Sequence, residues 1–348
     1  MDYASLQKQF DTTNMLARID EWPDIFKRGF ELGFNLELPP GFSEAKKVVC
    51  LGMGGSGMAY TILSVLSRQW GSVPVEVISD YHLPPYVTEG SGTAVCVTSF
   101  SGNTEETLSA AHEAFERGLP IICITTGGKL APWAKEHNIP VAQFEYPVGP
   151  RTGLSYTFGI SLGVFVSAQF LQFDKSGEAV VDQALEQLKS GSPIAALQAE
   201  GQNIAEGVKN KMIYMVGAGF SFPIAARWKA QFNENAKNIA FSEPMPEMCH
   251  NMYLGYDLPE SVRTNSAVIF LDSQYDHPQN LKRAQLVGGD FEATGVTVVH
   301  PKTNSTLSPL ATLLAQIILG DYASYYLALV NGKDPSEMDR IEDLKKRL

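Results

Sequence analysis

Lys46-Lys47-Val48-Val49-Cys50-Leu51 runs straight into Gly52-Met53-Gly54-Gly55-Ser56-Gly57, and an apolar helical stretch continues through Leu66. A short apolar run, a glycine turn and a helix together read as one strand–turn–helix step of a parallel sheet. The step recurs. Val75–Ser79, Thr93–Thr98, Ile121–Thr125 and Val141–Phe144 read as further strands, with a helix over Glu105–Arg117 and an apolar helix over Gly153–Phe173. Asp174–Glu200 is polar, with helical spacing of Val181, Leu185 and Leu188. A second alternation then begins: a strand at Met212–Val216, a helix over Pro223–Lys237, strands at Ala267–Leu271 and Val296–Val299, and a long apolar helix over Pro309–Val330. The chain closes on an amphipathic, basic-ended helix, Pro335–Leu348.

The two alternations are related. GAGFSF at Gly217–Phe222 follows its strand as GMGGSG follows the first, 165 positions later, with Gly52, Gly54 and Ser56 aligned to Gly217, Gly219 and Ser221. This predicts an α/β protein of two doubly wound domains, each a mostly parallel sheet flanked by helices, in which only the first copy keeps a full loop. The expected divisions are a helical lead-in over 1–40, a first domain over 41–175, a helical connector over 176–205, a second domain over 206–334 and a terminal helix over 335–348.

Bulk properties narrow the function. The 348 residues carry a net charge of −11, which argues against nucleic acid or an anionic membrane as the main partner but leaves room for a small anion at a locally positive site. Met1–Ala4 opens no basic-then-apolar run, so no signal peptide is expected. Gly153–Phe173 is 21 residues without a charge, but its serines, threonine, glutamines and glycines fit a buried core helix rather than a membrane span. Cys50, Cys96 and Cys123 lie in strand-like runs and, with Cys249, show no C-x-x-C spacing, as expected of reduced thiols in a cytoplasmic protein. The six histidines show no H-x-H or H-x-x-x-H spacing, and Asp272 and Asp276 read as solvated loop acids. No metal and no cofactor is expected.

Two loops carry the chemistry. GMGGSG satisfies G-x-G-x-x-G, and Asp80 closes the next strand where a dinucleotide fold places its ribose acid, so a nicotinamide dehydrogenase is one reading. The same loop suits any phosphate, through backbone N–H groups, a hydroxyl and a helix N-terminus. The second loop, Ser99-Phe100-Ser101-Gly102-Asn103-Thr104-Glu105-Glu106-Thr107, adds three hydroxyls at another helix start. Hydroxyls and amides can enclose a terminal phosphate monoester without a metal, whereas a dinucleotide needs no second cradle; a Ser/Thr N-cap with acidic first-turn residues accounts for Thr104–Glu106 but not for the whole run. Arg151, after Tyr146-Pro147-Val148-Gly149-Pro150, could hold a developing oxyanion, though an ordinary surface pair would also account for it. Glu234 and His250, sixteen positions apart, would each be unremarked alone. Beside a phosphate cradle they supply a carboxylate base and a proton shuttle.

SFSGNTEET resembles the S-x-S-G-x-T-x-E-T signature of sugar-isomerase (SIS) domains. Glu234-Asn235-Ala236-Lys237 and Glu247-Met248-Cys249-His250-Asn251 are similar to the E-N-x-K and E-x-x-H-N elements of the bifunctional phosphoglucose/phosphomannose isomerase family, and the resemblance runs from about Val48 to the C-terminus. It implies a metal-independent aldose–ketose isomerase that interconverts glucose 6-phosphate and fructose 6-phosphate, and accepts mannose 6-phosphate, through a cis-enediolate. By the same resemblance Glu234 is the general base, His250 opens the sugar ring, Arg151 stabilises the enediolate, and Lys345 in the last helix joins the site. Gly54, Gly55, Ser56, Ser99, Ser101 and Thr104 would bind the phosphate. The family also implies a homodimer with the site at the subunit junction and the histidine from the neighbouring chain. The sequence departs from the family at Phe100, where Tyr is usual, and in a less acidic stretch after His250. A non-catalytic sugar-phosphate sensor would keep both loops but has no use for Glu234, His250, Arg151 and Lys345 together.

Overall fold

The computed structural model describes residues 1–146 and 151–347, and for Lys345 the backbone only. Strands β1 (Lys47–Leu51), β2 (Val75–Ile78), β3 (Thr93–Thr98), β4 (Ile121–Thr125) and β5 (Val141–Gln143) form an all-parallel sheet in the order β2-β1-β3-β4-β5. Helices cover both faces, so β3 and β4 are buried at every position. That is why they read as unbroken apolar runs rather than as alternating ones. On one face Val49, Leu51, Val95, Val97, Ile121 and Cys123 pack against Ala110, Ala111, Ala114 and Leu130 of the flanking helices.

The other face carries Leu154–Ser167, shorter than the helix expected from the uncharged stretch. Against it lies Trp22–Phe34, drawn from the segment read as a lead-in. These two helices touch backbone to backbone. A Cβ at Gly29 or Gly33 would strike the carbonyls of Tyr156 or Ile160, and one at Gly159 or Gly163 those of Phe26 or Phe30. Phe26 and Phe158 fill the space beside the crossing, with ring centroids 5.4 Å apart.

The second sheet, β6 (Met212–Ala218), β7 (Ala240–Met245), β8 (Ser266–Leu271) and β9 (Thr297–Val299), is also all parallel, in the order β7-β6-β8-β9. It repeats the order β2-β1-β3-β4, so the duplication read from two glycine loops extends to the topology. Strand β7 was not expected from the sequence. Its residues Ala-Phe-Ser-Glu-Pro-Met are mixed in polarity and include Pro244, which a strand tolerates only at a sheet edge, where this one lies. The helix Pro309–Val330 forms as the sequence indicates. It is long and apolar enough to cross a bilayer, but every residue from Leu310 to Leu329 is buried by protein, so it is a core helix.

By internal contacts the chain divides into two compact units, Glu21–Asp182 and Met1–Asp20 with Gln183–Leu348. The polar stretch between the alternations forms two helices, Gly177–Gly191 and Ile194–Gly207. Cys50, Cys96 and Cys123 are buried free thiols, with Cys249 half-buried.

The helix crossing yields a stability prediction. Gly33→Ala would force two backbones apart and should cost about 2–3 kcal/mol in urea unfolding. Gly207→Ala, where a Cβ meets nothing within 4 Å, should be neutral or stabilising by up to about 1 kcal/mol. Equal effects would mean that the crossing is not close-packed.

Candidate active site

From β1 the chain turns to β2 on one side, and β3 lies on the other, so the β1/β3 boundary is the switch point of the first sheet. Loops that leave adjacent strands in opposite directions open a crevice there, and ligands of doubly wound sheets bind in it. Gly52–Gly54 leads from β1 into the helix Gly55–Trp70, and Ser99–Thr104 leads from β3 into Glu105–Glu116. Neither helix start is capped by its own N-cap side chain. Each therefore presents the positive end of its dipole to the crevice.

The structure joins these loops. The Phe100 N–H donates to Ser56 Oγ at 3.3 Å. The Thr104 hydroxyl, which could cap its own helix, instead bonds the Ser99 hydroxyl at 2.9 Å. Ser101 Oγ accepts from the Asn103 N–H at 3.2 Å while its residue stays exposed. Gly54, Gly55, Ser56, Ser99, Ser101 and Thr104 thus all lie on two linked strand-to-helix turns of one unit, Gly55 and Ser56 being the first residues of their helix. Asp80 uses a carboxylate oxygen on the Tyr81 N–H at 2.7 Å.

A third loop, after β4, holds the second one rigid, and sequence reading did not find it. Thr126 donates to the Phe100 carbonyl through both its N–H (3.1 Å) and its hydroxyl (2.7 Å). Lys129 and Leu130 N–H groups converge on the Gly102 carbonyl, each at 3.0 Å, and Asn103 Oδ1 accepts from Lys129 N at 3.1 Å. Gly102 sits at φ +67°, and any Cβ there would run into the Gly127 carbonyl, so only glycine fits. The available signal was the Gly127-Gly128 pair one residue after a strand.

Arg151 is 5% exposed, just ahead of Leu154–Ser167, so it is a buried cation rather than a surface one. Residues 147–150, which precede it, lie outside the described residues. Phe100 of the second loop packs edge-on against Phe144 and Tyr146, at 5.8 and 5.9 Å. The Tyr146 hydroxyl donates to the Thr152 carbonyl at 3.2 Å. An aromatic cluster therefore couples the hydroxyl loop to the segment that carries Arg151. Phe100, where the family usually has Tyr, serves here as a packing ring.

In the other unit Glu234 is the last residue of the helix Phe222–Glu234 and is half-buried. His250 is exposed and ends the short turn Glu247–His250, anchored by buried Met248. The structure does not bring these two together within the chain. Asn233 Nδ2 donates to the Ala240 carbonyl at the start of β7, which places Glu234 at the N-terminal edge of the sheet. His250 follows the end of β7, and a strand of that length spans about 20 Å. Lys345 lies in the last helix, Asp339–Arg347, and its side chain is outside the described residues.

The second switch point is closed by the chain itself. Asp276, in the loop after β8, accepts from the N–H of Phe220 (2.9 Å), the N–H of Ser221 (3.3 Å) and the Ser221 hydroxyl. Ser221 aligns with Ser56, so a carboxyl fills in the second unit the place that the hydroxyl loop occupies in the first. The reading of Asp276 as a solvated acid is corrected: it is 5% exposed. Sequence reading missed it because nothing in one Asp signals a tertiary bond 55 residues back.

Two parallel sheets of one strand order, with a hydroxyl-lined loop pair at the first switch point, define a double SIS-type protein. The chain belongs to the bifunctional phosphoglucose/phosphomannose isomerase family. A relative of that name from Caldicellulosiruptor bescii is 33% identical over 96% of this chain and 98% of its own length. Another from Aquifex aeolicus is 34% identical over 94% of both. Residues 197–348 match the bacterial phospho-glucose isomerase C-terminal SIS domain. In fold the chain is similar to the C-terminal domain of glucosamine-fructose-6-phosphate aminotransferase from Francisella tularensis, with a TM-score of 0.70 at 16% identity over 94% of this chain and 98% of that one.

Asp276 generates a pH prediction. Burial pushes its carboxyl above the ordinary 3.8, and the bonds from Ser221 and Phe220 recover only part of that shift. A carboxyl raised in the folded state favours folding while protonated. Its contribution is fully present below 3.8 and is lost as pH rises through the raised value. In urea unfolding, the stability of the parent relative to Asp276→Asn should therefore fall across that interval. A difference that rises with pH would mean that the ionised form is the favoured one.

Proposed function

We propose that this protein interconverts glucose 6-phosphate and fructose 6-phosphate, and also takes mannose 6-phosphate, without a metal or nucleotide cofactor. The observation that carries the proposal is the linked pair of loops at the β1/β3 switch point, in a chain whose relatives match it almost end to end. Gly54, Gly55, Ser56, Ser99, Ser101 and Thr104 hold the phosphate with backbone N–H groups and hydroxyls, which anchors the sugar through a group that does not react. His250 moves a proton between the ring oxygen and O1 to open the pyranose or furanose. Glu234 takes the proton from C2 of the open aldose and returns it to C1, with O1 protonated and O2 deprotonated in balance, so that a cis-enediolate links aldose and ketose. Arg151, and Lys345 of the last helix, supply positive charge to the enediolate oxygens. Rotation about C2–C3 in the intermediate exposes either face of C2, which admits the mannose epimer.

The proposed assembly is a cytoplasmic homodimer. The opposite-edge placement of Glu234 and His250 supports a site that takes its histidine from the neighbouring chain. We further read 41–175 and 206–334 as the two SIS domains, with 1–40, 176–205 and 335–348 as helical additions.

The decisive assay follows fructose 6-phosphate and mannose 6-phosphate side by side in excess EDTA, where both should turn over. Glu234→Gln should retain phosphate-ester binding and lose kcat by about 10³-fold. Binding of both esters with no turnover by the parent would leave a sugar-phosphate sensor instead. Mixed Glu234→Gln and His250→Ala subunits, each inactive alone, should recover about a quarter of parental activity, since half of random dimers are mixed and each has one intact site. No recovery would place both side chains in the same chain's site.

A further inference from the structure

The helix that ends in Glu234 is held by an unusual set of buried polar contacts. Arg227, Gln231 and Asn235 recur every fourth residue and so share one face, and all three are buried. Opposite them runs Pro309–Val330, whose 22 residues include a single charge, Asp321. Asp321 Oδ1 accepts from Arg227 Nη2 at 3.1 Å and from Gln231 Nε2 at 2.8 Å. One turn on, Asn235 Nδ2 donates to Ser324 Oγ at 3.0 Å, and that hydroxyl donates in turn to the Asp321 carbonyl, also at 3.0 Å. Trp228 Nε1 donates to the Gln316 carbonyl at 2.9 Å, with its ring laid against Gly320.

Stability alone does not explain this choice. A buried ion pair is commonly no better than apolar residues of the same volume, and helices as apolar as Pro309–Val330 pack well on leucine. What apolar packing does not supply is a unique register. A slip of one residue along a helix moves a side chain by about 1.5 Å and turns it by about 100°. Glu234 lies between Gln231 and Asn235, so the contacts to Asp321 and Ser324 bracket it on both sides. We infer that Arg227, Gln231, Asn235, Asp321 and Ser324 are positioning residues that fix the axial setting and rotation of Glu234. This inference rests on the reading of Glu234 as the base.

The test is to remove the polarity and keep the volume. Arg227→Met/Gln231→Leu/Asp321→Leu in the full chain should keep or raise Tm, leave KM within about threefold, and lower kcat by about 10²-fold, the usual consequence of a misplacement near 1 Å. Ser324→Ala, a smaller change, should lower kcat severalfold at unchanged Tm, and Ser324→Thr, which keeps the acceptor, should restore it. Parental kcat in the folded triple variant would overturn the inference. So would parental kcat in Ser324→Ala if the triple variant fails to fold, or a loss of kcat only in step with Tm. Glu234→Gln run in parallel separates the two ideas. Activity in that variant removes the base itself, whereas its inactivity beside a fully active triple variant removes only the positioning role.

Discussion

Every helix starts with backbone N–H groups that have no partner inside the helix, and both units of this protein begin one at the switch point of a parallel sheet. That place is crowded by the ends of two strands. In the first unit no side chain caps the helix starts, and the loops beside them are clasped by Thr126 and Lys129 in an arrangement that suits a phosphate. In the second, Asp276 accepts from the residues just ahead of the helix, Phe220 and Ser221. The same strand order therefore leaves uncapped helix starts in one unit and a joint closed by a carboxyl in the other. What separates them is the residue sent back by the loop after the neighbouring strand.

The central strands were legible because a buried parallel strand must be apolar on both faces, and Thr93–Thr98 and Ile121–Thr125 are. The two loops stood out in the sequence because glycines and hydroxyls are packed into so few residues, and the structure joins them by the bond from Phe100 to Ser56. Edge elements were not. Strand β7, exposed on one side, carries Ser, Glu and Pro and looks like a loop until it is paired with β6. Trp22–Phe34 read only as part of a helical lead-in, because its crossing partner, Leu154–Ser167, lies more than a hundred residues away. Of the proposed catalytic groups, Glu234 and His250 were found through short motifs. Their separation across the sheet could be seen only once β7 was placed between them.

The two units also differ in how they hold their helices. Trp22–Phe34 and Leu154–Ser167 meet through glycines, a contact of shape with little polar content. Phe222–Glu234 and Pro309–Val330 meet through an arginine, two amides, an aspartate and a serine. Shape suffices where a helix only has to cover a sheet. Directed bonds appear beneath the helix that presents a carboxylate, where a rotation would matter.

The division of the chain has a consequence for its birth. Residues 1–20 belong with Gln183–Leu348: Asp11 accepts from the Tyr325 hydroxyl at 3.0 Å and Asp20 from that of Tyr322. During synthesis residues 1–20 leave the ribosome some three hundred residues ahead of the tyrosines that secure them, and the unit Glu21–Asp182 can close while they still wait. The early segment is thus a strap that is fastened late, and a nascent chain stalled before Tyr322 would hold one finished unit and one still unfastened.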